Sequence, residues 1–326
     1  MEYILLILGF GVLTFGADWL VKGASAVAKK FNISNLVIGL TVVALGTSAP
    51  ELVVNIVASA KESTDIALTN ILGSNIINTL VILGFTSLIF PIACQRSTFR
   101  IEIPYSLLAG SIVLLMGTNY FGLVSYKNGF VGISHFDGIV LIIFFITFLT
   151  YTFFQARKDK KNMCDEDTDD ELCKMSLWKS IILIIAGLSC LVYGGNLIVD
   201  SAVIIAQAWG CNKAFIGVTI VALGTSLPEL ATSIMAAYRK NTDIAIGNVI
   251  GSNIFNVFFV LGLSATIHPL ENYSSIVLDS AMAAGSSLLL LLLLALSKKK
   301  TLTRWSGAIL LLTYGVYLGY LLATLS

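Results

Sequence analysis

The sequence predicts an all-α membrane protein: ten transmembrane helices in two inverted five-helix repeats. Three observations carry this. Of 326 residues, 56% are hydrophobic and only 12% charged, with a mean hydropathy of +0.89; soluble domains carry about 25% charged residues. The apolar residues gather into ten runs, mostly long enough to cross a ~30 Å hydrocarbon core at ~1.5 Å per residue. The second half of the chain repeats the first at a fixed offset.

The runs fall at 3–28, 36–60, 65–90, 102–119, 136–156, 177–207, 214–238, 243–267, 274–297 and 303–325. The first lacks the basic n-region of a signal peptide and reads as a retained helix. The second, third, seventh and eighth hold glycine, proline and polar residues near their middles. The fourth, fifth, ninth and tenth are plainer, and Leu288–Leu294 reads as a lipid-facing stretch. Asp18 and Asp200, on the first and sixth runs, suit polar contacts between repeats. Residues 1–156 form the first repeat, 157–176 a cytoplasmic linker and 177–326 the second repeat. The linker carries acidic residues from Asp165 to Glu171. It reads as a solvated connection, because it lacks the glycine and ligand spacing of a Ca²⁺-binding loop.

The offset is 229 − 51 = 178 residues, and more than half of the positions from 38 to 84 are identical under it. Gly46-Thr47-Ser48-Ala49-Pro50-Glu51 falls on Gly224-Thr225-Ser226-Leu227-Pro228-Glu229. Gly73-Ser74-Asn75-Ile76 falls on Gly251-Ser252-Asn253-Ile254, and Asn78 on Asn256. Five spans per copy is an odd number, so the second copy enters the membrane from the opposite face. Loops after odd-numbered spans hold fourteen basic residues, among them Lys29, Lys30, Arg239 and Lys240; the other loops hold only Lys61, Lys127 and Lys213. The positive-inside rule then places both termini outside.

Composition also excludes. A formal charge of +1 gives nucleic acid no purchase. The five cysteines show no CxxC and no regular spacing, which argues against a thiolate metal or redox site. His135 and His268 sit at predicted helix ends. No mid-membrane His or Lys is present to serve as a catalytic base, so an enzyme is not expected.

What remains is the chemistry of the broken spans. A glutamate at membrane depth costs at least ~2.5–3.5 kcal/mol and usually faces a partner or an ion. Glu51 and Glu229 occupy that position twice, with no basic residue in those spans except at their ends. Pro50 and Pro228 remove a backbone donor and clash with the carbonyl four residues back, which frees carbonyl oxygens. Thr47, Ser48, Thr225 and Ser226 add hydroxyls. Ser74 and Ser252 add more, and Asn78 and Asn256, one turn beyond, share their helix face. The donor set is all oxygen, which suits hard cations. Ca²⁺ takes ~6–8 oxygens, two carboxylates balance its charge, and Na⁺ can share the hydroxyls and carbonyls. Broken helices within an inverted repeat are a recurring plan of secondary transporters. A channel usually builds its ligand ring from oligomer symmetry, whereas the symmetry here is internal.

Gly39 to Asn55 and Gly73 to Asn78, with Gly217 to Ser233 and Gly251 to Asn256, resemble the paired repeats of the cation/Ca²⁺ exchanger superfamily. The likeness is greatest to the short prokaryotic form of its Na⁺/Ca²⁺ exchanger branch. The resemblance implies an antiporter of the plasma (inner) membrane working by alternating access, with Na⁺ and Ca²⁺ as cargo. It implies no cofactor, and lipid rather than an obligatory oligomer as surroundings. It implies ion sites among helices 2, 3, 7 and 8, and helices 1 and 6 as a sliding pair. Glu51 and Glu229 match the carboxylates shared by both ions. The carbonyls of Thr47 and Thr225 match Ca²⁺ ligands. Ser48, Ser74, Ser226 and Ser252, with the carbonyls of Ala44 and Ala222, match Na⁺ ligands, and Asn78 and Asn256 the central pair. Asn256 stands where K⁺-dependent relatives tend to carry Asp, which disfavours K⁺ co-transport. Gly-Thr-Ser stands where proton-coupled relatives usually read Gly-Asn, which disfavours Ca²⁺/H⁺ exchange.

Overall fold

The computed structural model describes residues 1–118, 132–158, 171–210, 222–271 and 275–325. All ten spans are present in part or whole. They are α1 (Glu2–Lys30), α2 (Asn35–Thr47 and Ala49–Ala60), α3 (Thr64–Ile89), α4 (Thr98–Gly117) and α5 (His135–Lys158). The second set is α6 (Leu177–Ala208), α7 (Ala222–Gly224 and Leu227–Tyr238), α8 (Thr242–Ile267), α9 (Ile276–Leu296) and α10 (Arg304–Leu325). The acidic run from Asp165 to Asp170 lies outside the described residues.

The inversion is visible in the longest pair, α1 with 29 residues and α6 with 32. Gly9 faces Gly194, Gly16 faces Gly187 and Gly23 faces Ser180, so the helices run antiparallel. Their backbones touch. A Cβ added to Gly16 would lie 2.9 Å from the Gly187 carbonyl oxygen, and one on Gly187 would lie 2.8 Å from that of Gly16. Only glycine permits this approach. Gly16→Val is expected to lower the unfolding midpoint in detergent, since over-packing costs about 1–3 kcal/mol. An unchanged midpoint would contradict the seam.

The turns repeat too. The α2–α3 and α7–α8 corners close with the Ser63 N–H donating to Ala58 O and the Asn241 N–H to Ala236 O, both at 2.8 Å. Glu62 (φ 58°) and Lys240 (φ 59°), 178 positions apart, take the left-handed conformation that ends a helix this way. Two antiparallel ribbons complete the pattern. β1 (Ile92–Ala93), after α3, pairs with β4 (Thr301–Leu302), before α10. β3 (Leu270–Glu271), after α8, pairs with β2 (Gly132–Ile133), before α5. The α3-linked strand and the α8-linked strand are 178 residues apart, so one ribbon is the inverted copy of the other on the opposite face.

α3 and α8 form the centre, with α4 packed on α9, α5 on the end of α8 and α10 on the end of α3. Leu288–Leu294 is not uniformly lipid-facing: Leu290 and Leu294 are fully buried. They lie four residues apart, on the one face of α9 that meets the bundle. Two buried acids outside the centre are each held by a tyrosine. Tyr151 donates to Glu102 at 2.6 Å and Tyr317 to Asp279 at 2.7 Å. Asp18 joins the repeats as expected. It accepts from Arg239, at the end of α7, and pairs with Lys22 at 2.8 Å. Asp200 is exposed. Cys94 and Cys190 are not in disulfides, and burial pushes the Cys94 thiol up to about 12.

A candidate cation site between the two repeats

The two halves of α2 meet at a 48° bend. Ser48 sits at the bend (φ −85°, ψ 9°), and Ser226 takes the same conformation in α7 (φ −90°, ψ 5°). Pro50 and Pro228 each lie in the first turn of the following half-helix, where the missing N–H costs no helical bond. Glu51 and Glu229 fall one residue later, in the same first turn. Proline therefore starts a new helix at mid-membrane, and the acid is carried inward on its leading edge.

Both carboxylates are at most 1% exposed. The Ser48 hydroxyl donates to Glu229 Oε1 across the repeat boundary at 2.9 Å, and Ser74 donates to Glu51 Oε1 at 3.4 Å. Their other oxygens, Glu51 Oε2 and Glu229 Oε2, have no hydrogen-bond partner among the described residues. Among the described residues, no basic side chain pairs with Glu51 or Glu229, whereas Lys22 and Arg239 both pair with Asp18. Two buried acids are thus left without a cationic side chain, an arrangement that costs several kcal/mol unless a cation is supplied.

Among the described residues, several buried polar atoms lack a hydrogen-bond partner, and six of them gather on the repeated motifs. Besides the two carboxylate oxygens, these are Asn78 Oδ1, Asn256 Oδ1, Ser226 Oγ and Ser252 Oγ. All six atoms belong to residues that the sequence singles out. Buried polar atoms are almost always satisfied. Six unsatisfied oxygens on four helices, with no sulfur or imidazole among them, match the appetite of a hard cation.

The other expected residues are near the breaks. The Thr47 hydroxyl donates to Asn248 Oδ1 at 3.1 Å, so that side chain is engaged by α8. The Ala44 carbonyl accepts the Ser48 N–H at 3.0 Å. Thr225 is half-buried, and Ala222 opens the short helical turn before it. Asp65 and Asp243 lie in the first turns of α3 and α8, as dipole-favoured residues should.

Sequence reasoning gave no role to a second layer of amides. Asn70 Nδ2 donates to the Glu51 carbonyl and Asn248 Nδ2 to the Glu229 carbonyl, both at 3.3 Å. Asn70 also donates to Asn55 Oδ1 at 2.6 Å, and Asn248 to the Ser233 hydroxyl at 3.1 Å. These bonds brace each acidic half-helix against the adjacent span. The signal was available: Asn70 and Asn248 coincide under the same offset.

The chain as a whole is similar to known proteins. The profile of the family described as "Sodium/calcium exchanger protein" matches residues 1–154 and 179–323. Inner membrane protein YrbG of Escherichia coli K12 is 37% identical over 276 residues, 82% of this chain and 80% of that one. Sodium/calcium exchanger MaX1 of Methanosarcina acetivorans is 32% identical over 344 residues, 98% of this chain and 97% of that one. A solved structure of the sodium-calcium exchanger NCX_Mj, soaked without Na⁺ and Ca²⁺, superposes with a TM-score of 0.80 at 33% identity, covering 98% of each chain. These are integral membrane transporters, not enzymes. With ten helices in an inverted repeat and the paired acidic motifs, the chain belongs to the sodium/calcium exchanger family.

Proposed function

We propose that this antiporter exchanges Na⁺ for Ca²⁺ through the site between α2, α3, α7 and α8, extruding Ca²⁺ at the expense of an inward Na⁺ gradient. The observation that carries the reading is the set of six buried oxygens on α2, α3, α7 and α8 that lack a partner among the described residues. Glu51 and Glu229 serve both ions. The carbonyls of Thr47 and Thr225 complete the Ca²⁺ shell. Ser48, Ser74, Ser226 and Ser252, with the carbonyls of Ala44 and Ala222, hold Na⁺, and Asn78 and Asn256 face the centre.

Coupling follows from competition. Ca²⁺ and a full set of Na⁺ cannot share the two carboxylates, so one displaces the other. An empty site leaves two bare charges and resists crossing; a loaded site is largely neutralised and switches. With more than two Na⁺ per Ca²⁺ the cycle carries net charge. The α1–α6 pair slides against the central helices as access alternates. The charge of the loops supports termini outside and the linker 157–176 inside.

Na⁺-loaded proteoliposomes are expected to accumulate ⁴⁵Ca²⁺ when diluted into Na⁺-free medium, with no requirement for K⁺ or a pH gradient. Accumulation that follows a pH gradient in the absence of Na⁺ would assign the coupling ion to H⁺ instead.

A further inference from the structure

A carboxamide is a two-faced ligand. Its oxygen suits a hard cation, but its NH₂ group, nearly the same size, repels one. Something must decide which face Asn78 and Asn256 present, and the structure supplies a holder for each. Asn78 Nδ2 donates to Asn253 Oδ1 at 3.1 Å, and Asn256 Nδ2 donates to Asn75 Oδ1 at 3.2 Å. Each bond crosses from one repeat to the other. The holders are themselves fixed. Asn253 Nδ2 donates to the Thr79 hydroxyl at 2.8 Å, and Asn75 Nδ2 donates to the Asn253 carbonyl at 3.1 Å. Both holders are at most 5% exposed, so water does not compete. With their amino groups spoken for, Asn78 and Asn256 keep buried oxygens that meet no donor among the described residues.

We propose that Asn75 and Asn253 are positioning residues that lock the amides of Asn256 and Asn78 oxygen-first, and so set the affinity of the site for Ca²⁺. The inference rests on the reading of Asn78 and Asn256 as ligands. It treats the conserved offset as crossed rather than parallel: each copy orients the ligand of the other, so neither repeat makes a competent site alone. The two limbs differ in one respect. Thr79 coincides with Val257 under the offset, so only the Asn253 limb ends on a hydroxyl. Thr79→Val should therefore loosen Asn78 and leave Asn256 held.

The test uses the purified full-length protein in detergent and reads apparent Ca²⁺ affinity from the Ca²⁺-dependent rise of the unfolding midpoint, which needs no transport. Asn75→Leu is expected to weaken Ca²⁺ by about tenfold and Thr79→Val by about threefold, the loss of one orienting hydrogen bond in each case. Each variant is read against its own midpoint without Ca²⁺, which the lost buried hydrogen bonds lower. Asn75→Leu should add nothing in an Asn256→Ala background, nor Thr79→Val in an Asn78→Ala background, because each acts through that ligand. Additive losses, or unchanged affinity in the single variants, would overturn the lock. If Asn75→Leu does not fold, the Thr79→Val cycle, which removes only a hydroxyl, decides. Should Asn78→Ala and Asn256→Ala themselves leave affinity unaltered, the ligand reading falls, and the lock with it.

Discussion

Glu51→Gln and Glu229→Gln are each expected to abolish Na⁺-driven Ca²⁺ uptake in proteoliposomes. Glutamine keeps the volume of the side chain and removes its charge, so the helices need not repack. What it removes is half of the negative charge facing a divalent ion, in a site where both acids are at most 1% exposed. Breaking a buried charge pair costs about 3–5 kcal/mol, a loss of roughly 100- to 5,000-fold in affinity. Each variant also brings an NH₂ group toward the ion. The two should fail alike, since the acids occupy equivalent places in the two copies. Glu62→Gln, on an exposed turn, is the control and should transport normally. Substantial Na⁺-driven flux in both core variants would remove the shared site.

The second large effect falls on Gly251. A Cβ there would lie 2.7 Å from the Leu40 carbonyl oxygen and 2.8 Å from the Ala44 Cβ. Gly251→Ala therefore forces α8 away from the first half of α2, and backbone has little room to give. Over-packing of this kind costs about 1–3 kcal/mol. Gly251→Ala should lower the unfolding midpoint in detergent and reduce transport. An unchanged midpoint would show that this contact does not govern stability.

Much of this was legible because the duplication has no gap between Ile38 and Gly84. A fixed offset pairs residues without an alignment, and apolar runs of membrane length fix the spans. Acids, hydroxyls and amides recurring at one offset point to the candidate cation site, and all six of its partnerless atoms come from side chains with obvious ligand chemistry. Contacts between distant elements were not legible. Arg239 reaches Asp18 across 221 positions, and nothing in the spacing selects that partner over Lys22 alone. The tyrosine locks on Glu102 and Asp279 depend on how α4 meets α5 and α9 meets α10. Amide direction is likewise absent from a sequence. Asn75 and Asn78 look equally good as ligands until hydrogen bonding shows which oxygen is free. Leu290 and Leu294 hide in a run of leucines, where composition carries no phase.

The glycine seam between α1 and α6 has a mechanical meaning. Where two main chains rest directly on each other, neither rod can creep by a fraction of a turn without collision, so the couple has one degree of freedom rather than two. Under the proposed sliding, a slab that moves in one piece uncovers one mouth only by covering the other. Both doors would then never stand ajar together, and stiffness would prevent leakage down the gradient before any ion has been chosen.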